Sequence, residues 1–139
     1  MKIRIAIASL LIVQALILVS AQNKTTLDGV YTTAQASRGE AIYKESCVSC
    51  HGDDLSGSGQ APALAGKEFN SDWIDLTLSD LFDRTRLSMP ADKPGSLKPE
   101  QATDVITFLL QKATFPAGQA ELPADGAALK GIKFVAPKP

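Results

Sequence analysis

The chain has 139 residues, with 14 Lys or Arg, 15 Asp or Glu and a single His, for a net charge of −1. Its basic residues are scattered, with no run or stripe of Lys and Arg, which excludes the electrostatic footprint of a nucleic-acid-binding protein. The length suits one domain, and a domain this small buries only a modest apolar core unless a large bound group fills its centre.

At the start of the chain, Lys2 and Arg4 precede an apolar run from Ile5 to Val19 that is broken only by Ser9 and Gln14 and ends at Val19-Ser20-Ala21. This is the layout of a secretory signal peptide, and the run is shorter than the roughly 20 residues a bilayer-spanning helix needs. Residues 1–21 are therefore expected to be a signal peptide cleaved near Ala21, with the product periplasmic or otherwise exported and without a permanent membrane anchor; an uncleaved amino-terminal anchor is the alternative. Cleavage there removes two cations and no anion, leaving 12 basic against 15 acidic residues and a net charge of −3.

Residues 22–34 read as an extended lead-in. From Gln35 to about Cys50, Ala36, Gly39, Ile42, Tyr43 and Ser46 recur at helical spacing with no Pro among them, which predicts a helix running into the cysteine pair. Residues 52–70 contain Gly52, Gly57, Gly59, Pro62 and Gly66, a turn-rich loop of the length that usually wraps something. A second helix is predicted from Thr77, capped through Asp80, with Leu78, Leu81, Phe82 and Thr85 inward and Met89-Pro90 at its end. A third begins at Pro99, suited to the first helical position although Lys98 is a poor cap, and carries Ala102, Val105, Ile106, Leu109 and Leu110 on one face. Residues 115–139 turn to Pro, Ala and Gly and read as a tail that either wraps the domain through Leu122, Leu129, Ile132 and Phe134 or trails. No internal repeat is visible and nothing alternates strictly enough to propose a sheet, so the class is all-α.

The chemistry is concentrated in Cys47-Val48-Ser49-Cys50-His51. Two thiols three positions apart at a helix end lie on neighbouring faces of one turn, so both can bond the vinyl groups along one edge of a haem while the next residue, His51, supplies an axial imidazole. A thiol redox pair would need a preceding strand and a thioredoxin-like layout, neither of which is visible. A structural zinc site would need four ligands, and the chain has only these two Cys and one His. A disulfide across so short a loop would constrain little and leave His51 unexplained.

A single His excludes bis-histidine ligation within the chain, and only one methionine, Met89, remains beyond Met1. It stands 38 residues after His51 and immediately before Pro90, which breaks the helix where the chain would turn to lay a thioether on the iron. The alternative is that Met89 simply fills core.

With these residues the chain resembles a class I cytochrome c over about residues 35–112. The resemblance implies a cytochrome c fold of three to four helices around one covalently attached haem c, with a cytochrome domain over 35–114. Gly39 and Tyr43 match the family's pattern of a Gly and an aromatic at four-residue spacing, which implies that Gly39 lets the carboxy-terminal helix approach closely, with Phe108 as its aromatic partner. The segment Ala61-Pro62-Ala63-Leu64-Ala65-Gly66 resembles the family's Gly-Pro-x-Leu-x-Gly with Ala61 in place of the first Gly, implying that the Pro62 carbonyl accepts the His51 Nδ1 hydrogen and that Leu64 packs on the ring. More loosely, Phe69, Trp73, Leu81-Phe82-x-Arg84, Ser88-Met89-Pro90 and Phe115-Pro116-Ala117-Gly118 resemble cytochromes associated with pyrroloquinoline quinone alcohol dehydrogenases. Trp73, Arg84 and Arg86 then either contact haem propionates or are plain core and a solvated face.

The function expected from this reading is outer-sphere electron transfer between ferric and ferrous iron, by a soluble carrier or the cytochrome partner of a dehydrogenase, and not catalysis. Redox proteins, a periplasmic dehydrogenase or a terminal oxidase, are the expected partners, docking over a small patch at the thioether edge. The competing class is a haem enzyme or gas sensor with an open sixth position, for which no distal histidine is present.

Overall fold

Six helices and one short strand pair are found among residues 24–138, the part of the chain that the structure, a computed structural model, describes. The expected signal peptide lies outside these residues. β1 (Lys24–Thr25) opens the described chain, and α1 (Thr33–Ser46) follows, its amino end capped by the Thr32 hydroxyl, which accepts from the Gln35 amide at 3.1 Å. The helix breaks at Cys47 and resumes as α2 (Val48–His51), so the single helix predicted into the cysteine pair is two pieces. Gly52, at φ 78°, then turns the chain away from the helix axis.

A third helix, α3 (Gly66–Trp73), stands where the sequence reads as the end of a loop and the residues beyond it. Its polar residues hide two apolar positions, Phe69 and Trp73, which lie one turn apart and have ring centroids separated by 6.4 Å. α4 (Leu78–Ser88) begins at the predicted cap: the Asp80 carboxylate accepts from both the amide and the hydroxyl of Thr77, at 2.8 and 2.7 Å. α5 (Pro99–Lys112) has Pro99 in its first turn, and Gln101 Oε1 accepts from the Lys98 amide at 3.0 Å, which makes up for the weak cap.

The main packing is α1 across α5. A Cβ at Gly39 would fall inside the Asp104 carbonyl and lie 3.0 Å from Phe108 Cβ, so only glycine permits this approach. Tyr43 packs on Phe108 with 5.1 Å between centroids and the rings tilted by 45°. α5 is buried on all sides from Ala102 to Leu110, not on one face only. Its polar members are hydrogen-bonded, Thr107 Oγ1 donating to the Asp104 carbonyl at 2.8 Å within the helix and the Asp104 carboxylate accepting from Arg38 of α1 at 3.0 Å.

Beyond α5 the chain lies against the core as a strap. Phe115, Leu122, Leu129, Ile132 and Phe134 are all buried. The strap includes α6 (Gly126–Leu129) and β2 (Ile132–Lys133), and β2 pairs in parallel with β1, Lys24 opposite Ile132 and Thr25 opposite Lys133. Two residues per strand are too few to show as alternation in the sequence.

Candidate cofactor site

The turn after α2 places His51. Its ring is buried, and Nδ1 lies 2.9 Å from the Pro62 carbonyl oxygen. A carbonyl only accepts, so Nδ1 carries the hydrogen, and in the neutral ring Nε2 is left as a lone pair that makes no hydrogen bond among the described residues. The loop that presents Pro62 is drawn in tightly. Ser58 and Ala61 exchange backbone hydrogen bonds at 3.2 and 2.9 Å, and the Gly57 amide donates to the His51 carbonyl at 3.0 Å. Gly57 has φ 76°, and a Cβ there would collide with the Ala61 carbonyl and stand 2.7 Å from the Pro62 carbonyl carbon. Ser58 Oγ donates to the Cys50 carbonyl at 2.9 Å and the Tyr43 hydroxyl to the Gly52 carbonyl at 2.7 Å, so both flanks of the histidine are tied down.

Cys47 and Cys50 are free thiols, the first half-buried and the second exposed. Burial pushes the Cys47 thiol up to about 11, with the neighbouring Cys50 adding to the rise. Its surroundings thus oppose a thiolate but are indifferent to a neutral thioether sulfur. Ile42, Val48, Leu64 and Trp73 are partly buried and pack on the core.

Met89 is half-buried in extended backbone at the end of α4, φ −116° and ψ 152°, with its amide donating to the Thr85 carbonyl at 3.2 Å. Arg84 is exposed, whereas Arg86 is half-buried and its Nε is a buried donor with no partner among the described residues. Asn70 Oδ1, on α3, is a second buried polar atom without a partner. Asn70 has no motif around it in the sequence; only the unforeseen helix α3 draws attention to it. Trp73 contacts Phe69, and its indole makes no hydrogen bond among the described residues.

Buried polar groups are nearly always hydrogen-bonded, so the Arg86 donor calls for an acceptor that the described protein does not supply. Taken residue by residue, a free imidazole nitrogen, a thioether, two thiols, partly buried apolar side chains and an unpaired guanidinium nitrogen are the groups that a flat apolar ligand carrying carboxylates and a metal would use. Among the described residues, no helix is long and apolar enough to cross a membrane.

Comparison with known proteins points the same way. Residues 34–109 match the family model for cytochrome c oxidase, cbb3-type, subunit III. Cytochrome c-551 of Bacillus subtilis (strain 168) is 37% identical over 92 residues, covering 66% of this chain and 77% of that protein. A chain of the sulfane dehydrogenase SoxCD from Paracoccus pantotrophus matches with a TM-score of 0.51 and 23% identity, over 65% of this chain and 54% of that one. This chain spans about half the length of that solved chain, and the likeness there is one of fold.

Proposed function

The chain belongs to the c-type cytochrome family, whose work is haem-based electron transfer, and on that premise we propose that it is an exported single-haem carrier with His51 and Met89 as the two axial ligands. When bound, the haem supplies one-electron cycling between ferric and ferrous iron. The observation that carries the reading is the His51 ring, next in the chain to Cys50 and fixed by its 2.9 Å contact to the Pro62 carbonyl, with Nε2 left free. That hydrogen bond sets the tautomer, orients the imidazole and raises its basicity as a ligand.

Cys47 and Cys50 would hold the porphyrin through thioethers, Leu64 would pack on the ring, and Met89 would fill the sixth position against oxygen and peroxide. Arg86, with Trp73, would meet the propionates, an assignment supported by the unpartnered Arg86 Nε, whereas Arg84 points to solvent. A thioether ligand and partly buried apolar surroundings favour the state of lower net charge and so raise the potential. Cys50 and Ser49 are exposed, which supports electron entry and exit at the thioether edge. Donor and acceptor are redox proteins that dock there transiently, a periplasmic dehydrogenase or a terminal oxidase. The chain is read as a signal peptide over residues 1–21, a lead-in over 22–34, a cytochrome domain over 35–114 and a carboxy-terminal tail over 115–139.

The test is the ferric visible spectrum of protein matured in a host that attaches haem, read for the weak far-red band of methionine sulfur on iron. The band is expected in the native chain and lost in Met89→Ala. Attached but high-spin haem without the band would mean an open site and would replace the carrier with an enzyme or sensor.

A further inference from the structure

We infer that Phe134, in the carboxy-terminal strap, is a positioning residue for Met89: the strap clamps α3 and the start of α4, and so fixes the helix whose far end carries the thioether. The inference rests on the proposed role of Met89 as sixth ligand. The strap lies beyond residues 34–109, the stretch matched by the family model.

Phe134 is 1% exposed and meets two rings edge-on, Phe69 of α3 at 5.9 Å and Phe115 at 5.2 Å between centroids. Its backbone grips the turn between α3 and α4, the amide donating to the Leu76 carbonyl at 2.8 Å and the carbonyl accepting from the Asp75 amide at 3.3 Å. Lys133 bridges to Thr77, the cap residue of α4, and its ammonium lies 3.1 Å from the Asp75 carboxylate. Leu129 of α6 is fully buried, and α4 packs against α6 as extensively as it does against α5. Every one of these backbone and ionic grips falls at residues 75–77, ahead of α4.

From there α4 runs to Ser88 without interruption, and the Met89 amide still bonds to Thr85. A helix of this length is a stiff rod about 16 Å long, so what holds its first turn also sets where its last turn sits. Among the helices of the family core, the main partner of α4 is α5, whereas α1 and α5 are locked to each other by the Gly39 contact. The other end of the strap grips a different element. The Leu122 amide donates to Gln35 Oε1 at 2.8 Å and its carbonyl accepts from Gln35 Nε2 at 3.0 Å, which binds it to α1.

The two ends therefore make a controlled experiment. Full-length mature holoprotein is compared as native chain, Phe134→Ala and Leu122→Ala, reading the far-red band and the binding of imidazole to the ferric form. An added ligand binds in proportion to the population in which the sixth position is open, so Phe134→Ala is expected to tighten imidazole binding about tenfold and weaken the band, while Leu122→Ala stays within about twofold of the native chain. Phe134→Leu, which keeps much of the volume, is the variant to use if Phe134→Ala does not accumulate, and a smaller change of the same sign is expected. Imidazole affinity unchanged in the Phe134 variants, or shifted equally by Leu122→Ala in step with the denaturation midpoint, overturns the positioning role. A native chain that lacks the band overturns the Met89 ligand and this inference together, whereas a native band with no response at Phe134 overturns this inference alone.

Discussion

The crossing of α1 and α5 and the strap over α3 and α4 both bury aromatic side chains, but they are assembled by different means. At the crossing, two helices with their own caps meet through a glycine, and Tyr43 and Phe108 close over it. In the strap there is little regular structure; backbone and side-chain hydrogen bonds join residues far apart in sequence. Thr26 Oγ1 donates to the Val135 carbonyl at 2.8 Å and accepts from the Val135 amide at 2.9 Å, and the Tyr31 hydroxyl donates to the Phe115 carbonyl at 2.8 Å. A Cβ on Gly118 would collide with the Gly29 carbonyl, so lead-in and strap touch backbone to backbone. The crossing gathers stability within a few helical turns, while the strap closes long loops whose entropy is repaid only after the core exists.

Four changes would break or sharpen this contrast. The largest effect is expected from Phe108→Ala at the crossing, a loss of about 3–5 kcal/mol in guanidinium unfolding. While that variant remains folded, its imidazole affinity should stay native, in contrast with Phe134→Ala. Gly39→Ala follows, at about 1–3 kcal/mol, because the overlap with the Asp104 carbonyl outweighs the better helix propensity of alanine; calorimetric unfolding reads it. Asp80→Asn weakens the α4 cap by about 1 kcal/mol at neutral pH.

That third variant also carries a pH signature. The Thr77 hydroxyl and amide hold the Asp80 carboxyl below its ordinary value. A carboxyl lowered in the folded state contributes stability above its unfolded value and loses it as pH falls through the folded one. The native chain should therefore lose stability below about pH 4 more steeply than Asp80→Asn does, in unfolding midpoints followed from neutral to acid. The smallest effect is expected at Arg38→Met. Arg38 joins α1 to Asp104 of α5 at 3.0 Å and to Glu121 of the strap at 2.9 Å, but it is half-exposed. Its contribution to the melting temperature should shrink further in high salt, as screening predicts.

Much of the candidate site is a reading of the amino-acid sequence, because the chemistry proposed for it is a matter of residue type and short spacing. Cys47, Cys50 and His51 are close neighbours in the chain, and one His and one internal Met leave few choices of axial ligand. The caps at Thr77 and Pro99 are legible for the same reason, since a helix start is decided within four residues. The helix α3 is not, because Gly66 and a mostly polar run mask Phe69 and Trp73, which gain an apolar face only when Phe134 arrives from 65 positions beyond Phe69. Nor does the sequence distinguish Arg84 from Arg86; the turn of α4 leaves one in solvent and the other with a buried, unpartnered Nε.

The amino-acid sequence by itself thus determined which residues are candidates to hold a haem and where the helices at Leu78 and Pro99 begin, since these depend on side-chain identity and on backbone groups a few positions apart. Only the tertiary structure decided how closely α1 meets α5, that residues 115–135 close over α3 and α4, and which polar atoms are left buried without a partner. Contacts such as Thr26 to Val135 span 109 positions, and no local propensity encodes them; they form because the folded core offers apolar surface to cover and backbone groups to satisfy.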